Sequence, residues 1–289
     1  MSNPFRILIL ALSLTACASE PLPVAEDVTL PATFRNGVVF IKTSVNGAAP
    51  VWMLLDNGTT PSAIDLDYAK SLGLMLKSGT GSGTGIGSAK FQFFNTSAEV
   101  AAGATDRRIA FSALKLTGIT GPDGEPLAGV LGYSFVAGRI VVIDYPHSEV
   151  RFAAASAPCA CDLAMTLDND IPAIPVTVAG HKLAALVDTG GEYDLLLTPT
   201  AVRLAGLQAW AGKAHPATGS GYAGAQTVMV GSAPDVTVGT ITKPGPQALY
   251  ATFGTSPLTS PVALGVAFLK DYKVTLNYRA RTVRFDAAQ

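Results

Sequence analysis

Apolar and polar positions along the chain set up one layout twice. Residues 38–45 and 174–178 are apolar, β-branched runs, each followed by a turn pair, Asn46-Gly47 or Ala179-Gly180. Runs of this kind bounded by turn residues read as the first strand of a hairpin. Each hairpin feeds a second apolar strand that ends on Asp-x-Gly, at residues 51–58 and 183–190. A short helix follows each motif. In the first half Asp65 is placed to cap its N-terminus and Gly73 to end it; in the second, Thr198 caps, Pro199 fills the first turn and Gly206 ends it. More strands follow, turning at Pro146-His147 and at Arg279-Ala280. The pattern predicts a mainly β protein in two similar halves, each with a short helix.

The halves are copies. Val51-Trp52-Met53-Leu54-Leu55-Asp56-Asn57-Gly58 recurs as Leu183-Ala184-Ala185-Leu186-Val187-Asp188-Thr189-Gly190, 132 residues on. Val130-Leu131-Gly132-Tyr133-Ser134-Phe135 recurs as Ala263-Leu264-Gly265-Val266-Ala267-Phe268 after 133. Asp144-Tyr145 with Val150-Arg151-Phe152 recurs as Asn277-Tyr278 with Val283-Arg284-Phe285, again after 133. Three blocks at nearly constant offset identify a tandem duplication. The expected lobes are 34–153 and 170–286, joined by an Ala/Ser/Pro-rich linker over 154–169.

Composition narrows the chemistry. Of 289 residues, 48% are hydrophobic and only 14% charged, which excludes disorder and gives each half enough apolar surface for a core. A net charge of −1 without a basic stripe gives nucleic acid nothing to bind. His147, His181 and His215 lack ligand spacing, so no metal is implied. Cys159 and Cys161 are too few for a metal site; disulfide geometry strains a bridge between residues two apart, while an oxidising compartment leaves that bridge open. Ser134 lacks the second glycine of a nucleophile elbow. Residues 219–224 spell G-x-G-x-x-G without the strand-to-helix context of a dinucleotide site. Asp144 and Asp194 are accounted for by hairpin or ion-pair roles.

A strand ending in Asp-x-Gly puts a carboxylate on a tight loop, and two such loops about a pseudo-twofold axis bring two carboxylates together. Carboxylates that close share a proton, and the pair can work as general acid and base on a bound water. On Asp56-Asn57-Gly58-Thr59, Asp188-Thr189-Gly190 and the paired Leu131-Gly132 and Leu264-Gly265, the chain resembles the pepsin and retropepsin superfamily of aspartic peptidases. The resemblance covers residues 35–286. It implies two acid-protease-like β lobes, Asp56 and Asp188 as the catalytic pair, and no cofactor. It also implies Gly132 and Gly265 packed behind the loops, and a monomer acting on a peptide or protein substrate in the cleft. Glycine-rich flaps are expected at residues 79–87, including Gly81, Gly83 and Gly85, and at 219–224, including Gly219 and Gly221. Two positions depart from the family pattern. Asn57 stands where Thr or Ser is usual, and Gly191 takes a place often held by a hydroxyl residue, Thr59 in the first copy. A peptide-binding protein without activity is the alternative that Asn57 raises.

The N-terminus reads as a targeting segment, residues 1–16. Arg6 precedes an apolar run, residues 7–14, too short to span a bilayer. Leu14-Thr15-Ala16-Cys17 resembles the lipobox of bacterial lipoproteins. That likeness implies cleavage before Cys17, a lipid on its sulfur, a tether over 17–33, and an exported protein in the cell envelope. Ala18 matches the sorting pattern for the periplasmic face of the outer membrane.

Overall fold

Turn residues of positive φ reverse the chain where the sequence pattern expects. Asn46 and Gly47 (φ 49° and 74°) return Val38–Val45 towards Val51–Leu55. Ala179 and Gly180 (φ 49° and 81°) return Ile171–Val178 into His181–Val187. The computed structural model describes residues 26–80, 92–116, 118–221, 224–251 and 259–287. The targeting segment, Cys17, and Gly81, Gly83 and Gly85 of the first expected flap lie outside the described residues.

The helices after the motifs have the expected caps. The Asp65 carboxylate accepts the Asp67 and Tyr68 N–H groups at the start of Leu66–Ser71. Thr198 Oγ1 accepts the Ala201 N–H at the start of Pro199–Leu204. Single-turn helices also follow each Leu-Gly pair, Tyr133–Val136 and Val266–Leu269, and Gln208–Ala211 occurs in the second half. One turn is too short to leave a periodic signature, so only the capped helices are legible beforehand.

Each half is one sheet curled into a barrel-like form. In the first, Val51–Leu55 lies beside Gly129–Leu131, then Ser62–Asp65, then Thr105–Leu114, and Val45 pairs Val100 so that the sheet folds back on itself. The second repeats this centre with His181–Val187, Val262–Leu264, Leu195–Leu197 and Gln247–Tyr250. The motif strands run parallel to their Leu-Gly strands, Leu55 opposite Leu131 and Val187 opposite Leu264. All four leucine and valine side chains are buried, as are Phe135 and Phe268 one turn further on. A buried side chain of this size stabilises the fold by roughly 2–3 kcal/mol.

A third, six-stranded sheet belongs to both halves. Its central antiparallel pair, Ile140–Asp144 against Tyr272–Asn277, sets Val142 opposite Thr275. Those residues are equivalent in the repeat, and equivalent residues pair with each other only on the axis that relates the copies. The pseudo-twofold therefore passes between them. Val141, Ile143, Val274 and Leu276 are buried here in an apolar cluster that continues into both halves.

Two segments do more than the sequence pattern suggests. The chain enters the shared sheet at Val28–Thr29, ahead of the boundary expected at residue 34. The expected linker, 154–169, holds the strands Leu163–Ala164 and Thr166–Asp168, which pair with Thr282–Ala287 and Ile171–Val178. It also holds a Cys159–Cys161 disulfide, beside which Asp162 accepts from the Cys159 N–H and from Arg284 Nε. Strands of two or three residues carry no readable alternation.

Candidate active site

Both motif loops leave their strands in the same way. The Asp56 N–H donates to Leu131 O at 3.1 Å and the Asp188 N–H to Leu264 O at 2.9 Å. Each aspartate then takes the N–H of the glycine two residues on: Gly58 N to Asp56 Oδ1 at 2.8 Å, Gly190 N to Asp188 Oδ1 at 3.0 Å. These bonds fix the carboxyl orientation with respect to the loop.

The two loops face each other. A Cβ placed on Gly58 would lie 3.0 Å from Asp56 Oδ1 and 3.1 Å from Asp188 Oδ1. One placed on Gly190 would lie 2.4 Å from Asp56 Cγ. Neither position has room for a side chain, because each glycine lies against the carboxylate of the opposite loop. Behind the loops, a Cβ on Gly132 would sit 2.2 Å from Thr59 O, and one on Gly265 2.3 Å from Tyr193 O. The glycines of the Leu-Gly pairs thus let the following helices dock directly on loop backbone. Tyr133 N donates to Thr59 O and Val266 N to Gly191 O in that contact.

Asn57 and Thr189 join the loops at the axis. Both are buried, and Asn57 N donates to Thr189 Oγ1 at 3.0 Å while Thr189 N donates to Asn57 Oδ1 at 2.8 Å. Thr189 Oγ1 also lies 2.9 Å from Asn57 Oδ1 and 3.2 Å from Leu55 O. The Asn57 oxygen therefore receives the bond that a hydroxyl would receive at that position. Asn57 Nδ2 is buried and acts on the Tyr278 phenol, though without a well-aligned hydrogen bond between them.

The remaining carboxylate oxygens are held differently in the two copies. Thr59 Oγ1 donates to Asp56 Oδ2 at 2.7 Å. Gly191 holds the matching place in the second loop, where the sequence suggests that such a bond is absent. The bond is present: the phenol of Tyr193 donates to Asp188 Oδ2. Tyr193 is the site residue that reading by motif misses. The trace it leaves is an aromatic two residues after an unexpected glycine.

Burial, and then the charge of Asp56, push the Asp188 carboxyl up to about 7, while the hydrogen bonds from Tyr193 and Gly190 pull the other way. Burial, and then the charge of Asp188, raise the Tyr193 phenol well above its ordinary range. Beneath the loops lie Tyr145 and Tyr278, a repeat-equivalent pair, both buried and both raised by burial. The charge of Asp188 then raises Tyr145, while on Tyr278 a bond from Asn57 pulls down and Tyr133 and Asp56 push up.

Other residues singled out by sequence lie elsewhere. Gly219 and Gly221 belong to a hairpin, His215–Gly221 with Gly224–Ser232, so the G-x-G-x-x-G run joins strand to strand. Gly79 lies in Lys77–Thr80, paired with Gln92–Ala102. Ser134 Oγ bonds to Ser62 Oγ and Ala110 O, behind the first loop. Asp144 accepts from His147 in its hairpin, and Asp194 from Lys243 and Gln247. All three histidines are exposed.

The family model described as aspartyl protease matches the chain twice, over residues 41–135 and 174–268. Each match contains one Asp-x-Gly loop and its Leu-Gly partner, and the two are offset by the interval of the repeat. No curated protein matches the chain at significant similarity. The chain belongs to the aspartyl protease family, as a two-lobed member with the family fold in both halves.

Proposed function

We propose that this chain is an aspartic endopeptidase in which Asp56 and Asp188 share one proton and activate a water against a peptide bond. The observation that carries the reading is the facing of the two carboxylates, each orientated by a glycine N–H and by a hydroxyl. Asp188, raised by burial and by the charge opposite, starts as the acid. Asp56 takes a proton from the water as its oxygen bonds to the peptide carbonyl carbon, and Asp188 gives its proton to the carbonyl oxygen. The tetrahedral diol then collapses. The carbon–nitrogen bond breaks, Asp56 returns its proton to the leaving nitrogen, and Asp188 takes one from a diol hydroxyl. Nothing covalent forms on the protein, and the pair ends in its starting state.

The reading in which the chain only binds peptides rests on Asn57. Its oxygen receives the cross-loop bond, and that supports a working geometry. Cleavage of a diverse peptide mixture between mildly acidic and neutral pH, followed by mass spectrometry, separates the two. Cleavage by the parent and by neither Asp56→Ala nor Asp188→Ala is expected. No cleavage by folded parent protein would sink the peptidase reading, and cleavage that survives both changes would move the chemistry elsewhere.

One chain supplies both halves of the site, so the reading has a monomer as the working unit. We further infer that Cys17 is lipidated and holds the protein at the bacterial cell envelope, at the periplasmic face of the outer membrane. Among the described residues no helix is long and apolar enough to cross a membrane. Incorporation of labelled fatty acid by the parent and its loss in Cys17→Ser is expected. Equal labelling of both would remove the anchor.

A further inference from the structure

The pseudo-twofold makes the two aspartates equivalent by position, yet the second loop has its own hydrogen-bond donor. Gly191 has no left-handed φ, so its backbone does not call for glycine. Space does. A Cβ there would lie 2.4 Å from Tyr193 Cε1 and 2.7 Å from both Tyr193 Cζ and Asp188 Oδ2. The tyrosine ring occupies the room that a side chain at residue 191 would need. It is fixed on all sides: Tyr193 N donates to Gly191 O at 2.9 Å, Tyr193 O accepts from Ala267 N at 3.1 Å, and the ring lies in an apolar cluster with Ile171, Leu186 and Ala263. A Cβ on Gly265 would lie 2.6 Å from Tyr193 Cδ2, so that glycine makes room for the ring as well.

We propose that Tyr193 is a positioning residue of the dyad: it takes the place of the hydroxyl missing at Gly191 and anchors Asp188 Oδ2, leaving Oδ1 towards the opposite loop. This rests on the peptidase reading for its role in catalysis, though the contact itself does not. Asp188 is faced by Tyr193 and the Gly190 N–H from its own loop and by Asp56 from the opposite loop, and its own charge acts on Tyr145. Of these, Tyr193 alone donates to the carboxylate through a side-chain hydroxyl among the described residues, and such a bond favours the ionised form. The phenol remains protonated because burial and the charge of Asp188 hold it up, so it serves as a donor and not as a base. A threonine hydroxyl has no acidity near this range, so the phenol is the stronger donor of the two. The pair is thereby biased: Asp188 holds the shared proton less tightly than its burial alone would impose.

The test is Tyr193→Phe in the full chain, which keeps the ring and removes the hydroxyl. The Asp188 carboxyl is followed by carbon-13 NMR on aspartate-labelled protein, with Asp188→Asn giving the assignment. The expected result is an upward move of the Asp188 titration by about one pH unit or more, the size of one lost charge-assisted hydrogen bond. The alkaline limb of peptide cleavage should move up in parallel, with kcat reduced about tenfold or more and KM changed less. An unmoved titration in folded Tyr193→Phe protein would overturn the proposal, whether or not the parent cleaves peptides. A parent without activity whose titration moves as expected would remove the peptidase reading and leave the Tyr193 contact standing.

Discussion

Asn57 and Thr189 bond to each other in both directions across the pseudo-twofold, each backbone N–H reaching the other's side-chain oxygen at 3.0 and 2.8 Å. A carboxamide oxygen and a hydroxyl oxygen thus do equal service as acceptors. What differs is the remainder of the side chain. The threonine hydroxyl still has a proton to give, to Asn57 Oδ1 or to Leu55 O, whereas the buried amide nitrogen of Asn57 meets only the Tyr278 phenol, in poor alignment. An unmatched buried donor costs roughly 1–3 kcal/mol.

Asn57→Thr should therefore stabilise the protein by up to about 1 kcal/mol, since a hydroxyl accepts the Thr189 N–H without burying an amide group whose contact with Tyr278 is poorly aligned. Peptide cleavage, if present in the parent, should be kept. Asn57→Ala leaves the Thr189 N–H without its acceptor and should cost about 1–3 kcal/mol. Urea unfolding of the three proteins measures both effects. Equal stability of Thr and Asn at this position would mean that the amide nitrogen finds a partner.

Asp188 gives the stability a pH dependence of definite sign. In the unfolded chain an aspartate titrates near 4, and in the fold Asp188 is raised to about 7 by burial and the charge of Asp56. The folded state holds this proton more tightly, so the contribution is fully present below about pH 4 and is lost as pH rises through about 7. The unfolding free energy should fall by a few kcal/mol over that window. Asp188→Asn should lose the dependence and overtake the parent above neutrality. A parent whose stability rises from pH 4 to 7 in thermal unfolding would contradict this.

Gly265→Ala should be among the most damaging small changes in the chain. The added methyl would meet Tyr193 O at 2.3 Å and Gly191 O at 2.6 Å, both backbone atoms that cannot turn aside. Overpacking of this kind costs about 3 kcal/mol, and it would push the second loop away from the first. Gly180→Ala is the contrast: it has a positive φ and open space around it, so only the dihedral is strained, for about 1 kcal/mol. Melting temperatures of the two variants should rank accordingly.

Ser134 bonds to Ser62 Oγ and Ala110 O behind the first loop, while Ser62 Oγ accepts the Gly132 N–H. Ser134→Ala should cost about 1 kcal/mol of stability and leave peptide cleavage within a few-fold of the parent. A complete loss of activity in folded protein would point to a serine nucleophile instead.

The amino-acid sequence by itself determined the duplication, the two Asp-x-Gly loops, the Leu-Gly pairs behind them, and the caps and turns at Asp65, Thr198, Asn46 and Ala179. Those features are local or repeated. A cap needs one oxygen beside a few N–H groups, a turn needs residues that accept positive φ, and a repeat is visible as spacing. The tertiary structure alone decided the rest. Val142 meets Thr275 because two distant strands share a sheet. Residues 163–164 and 166–168 are strands because neighbouring strands offer free edges to them. Tyr193 reaches Asp188 because Gly191 and Gly265 leave the volume for its ring, a match of shapes among three positions with no counterpart in the first copy. Spacing along the chain fixes which groups can be presented, and packing in space fixes which of them touch.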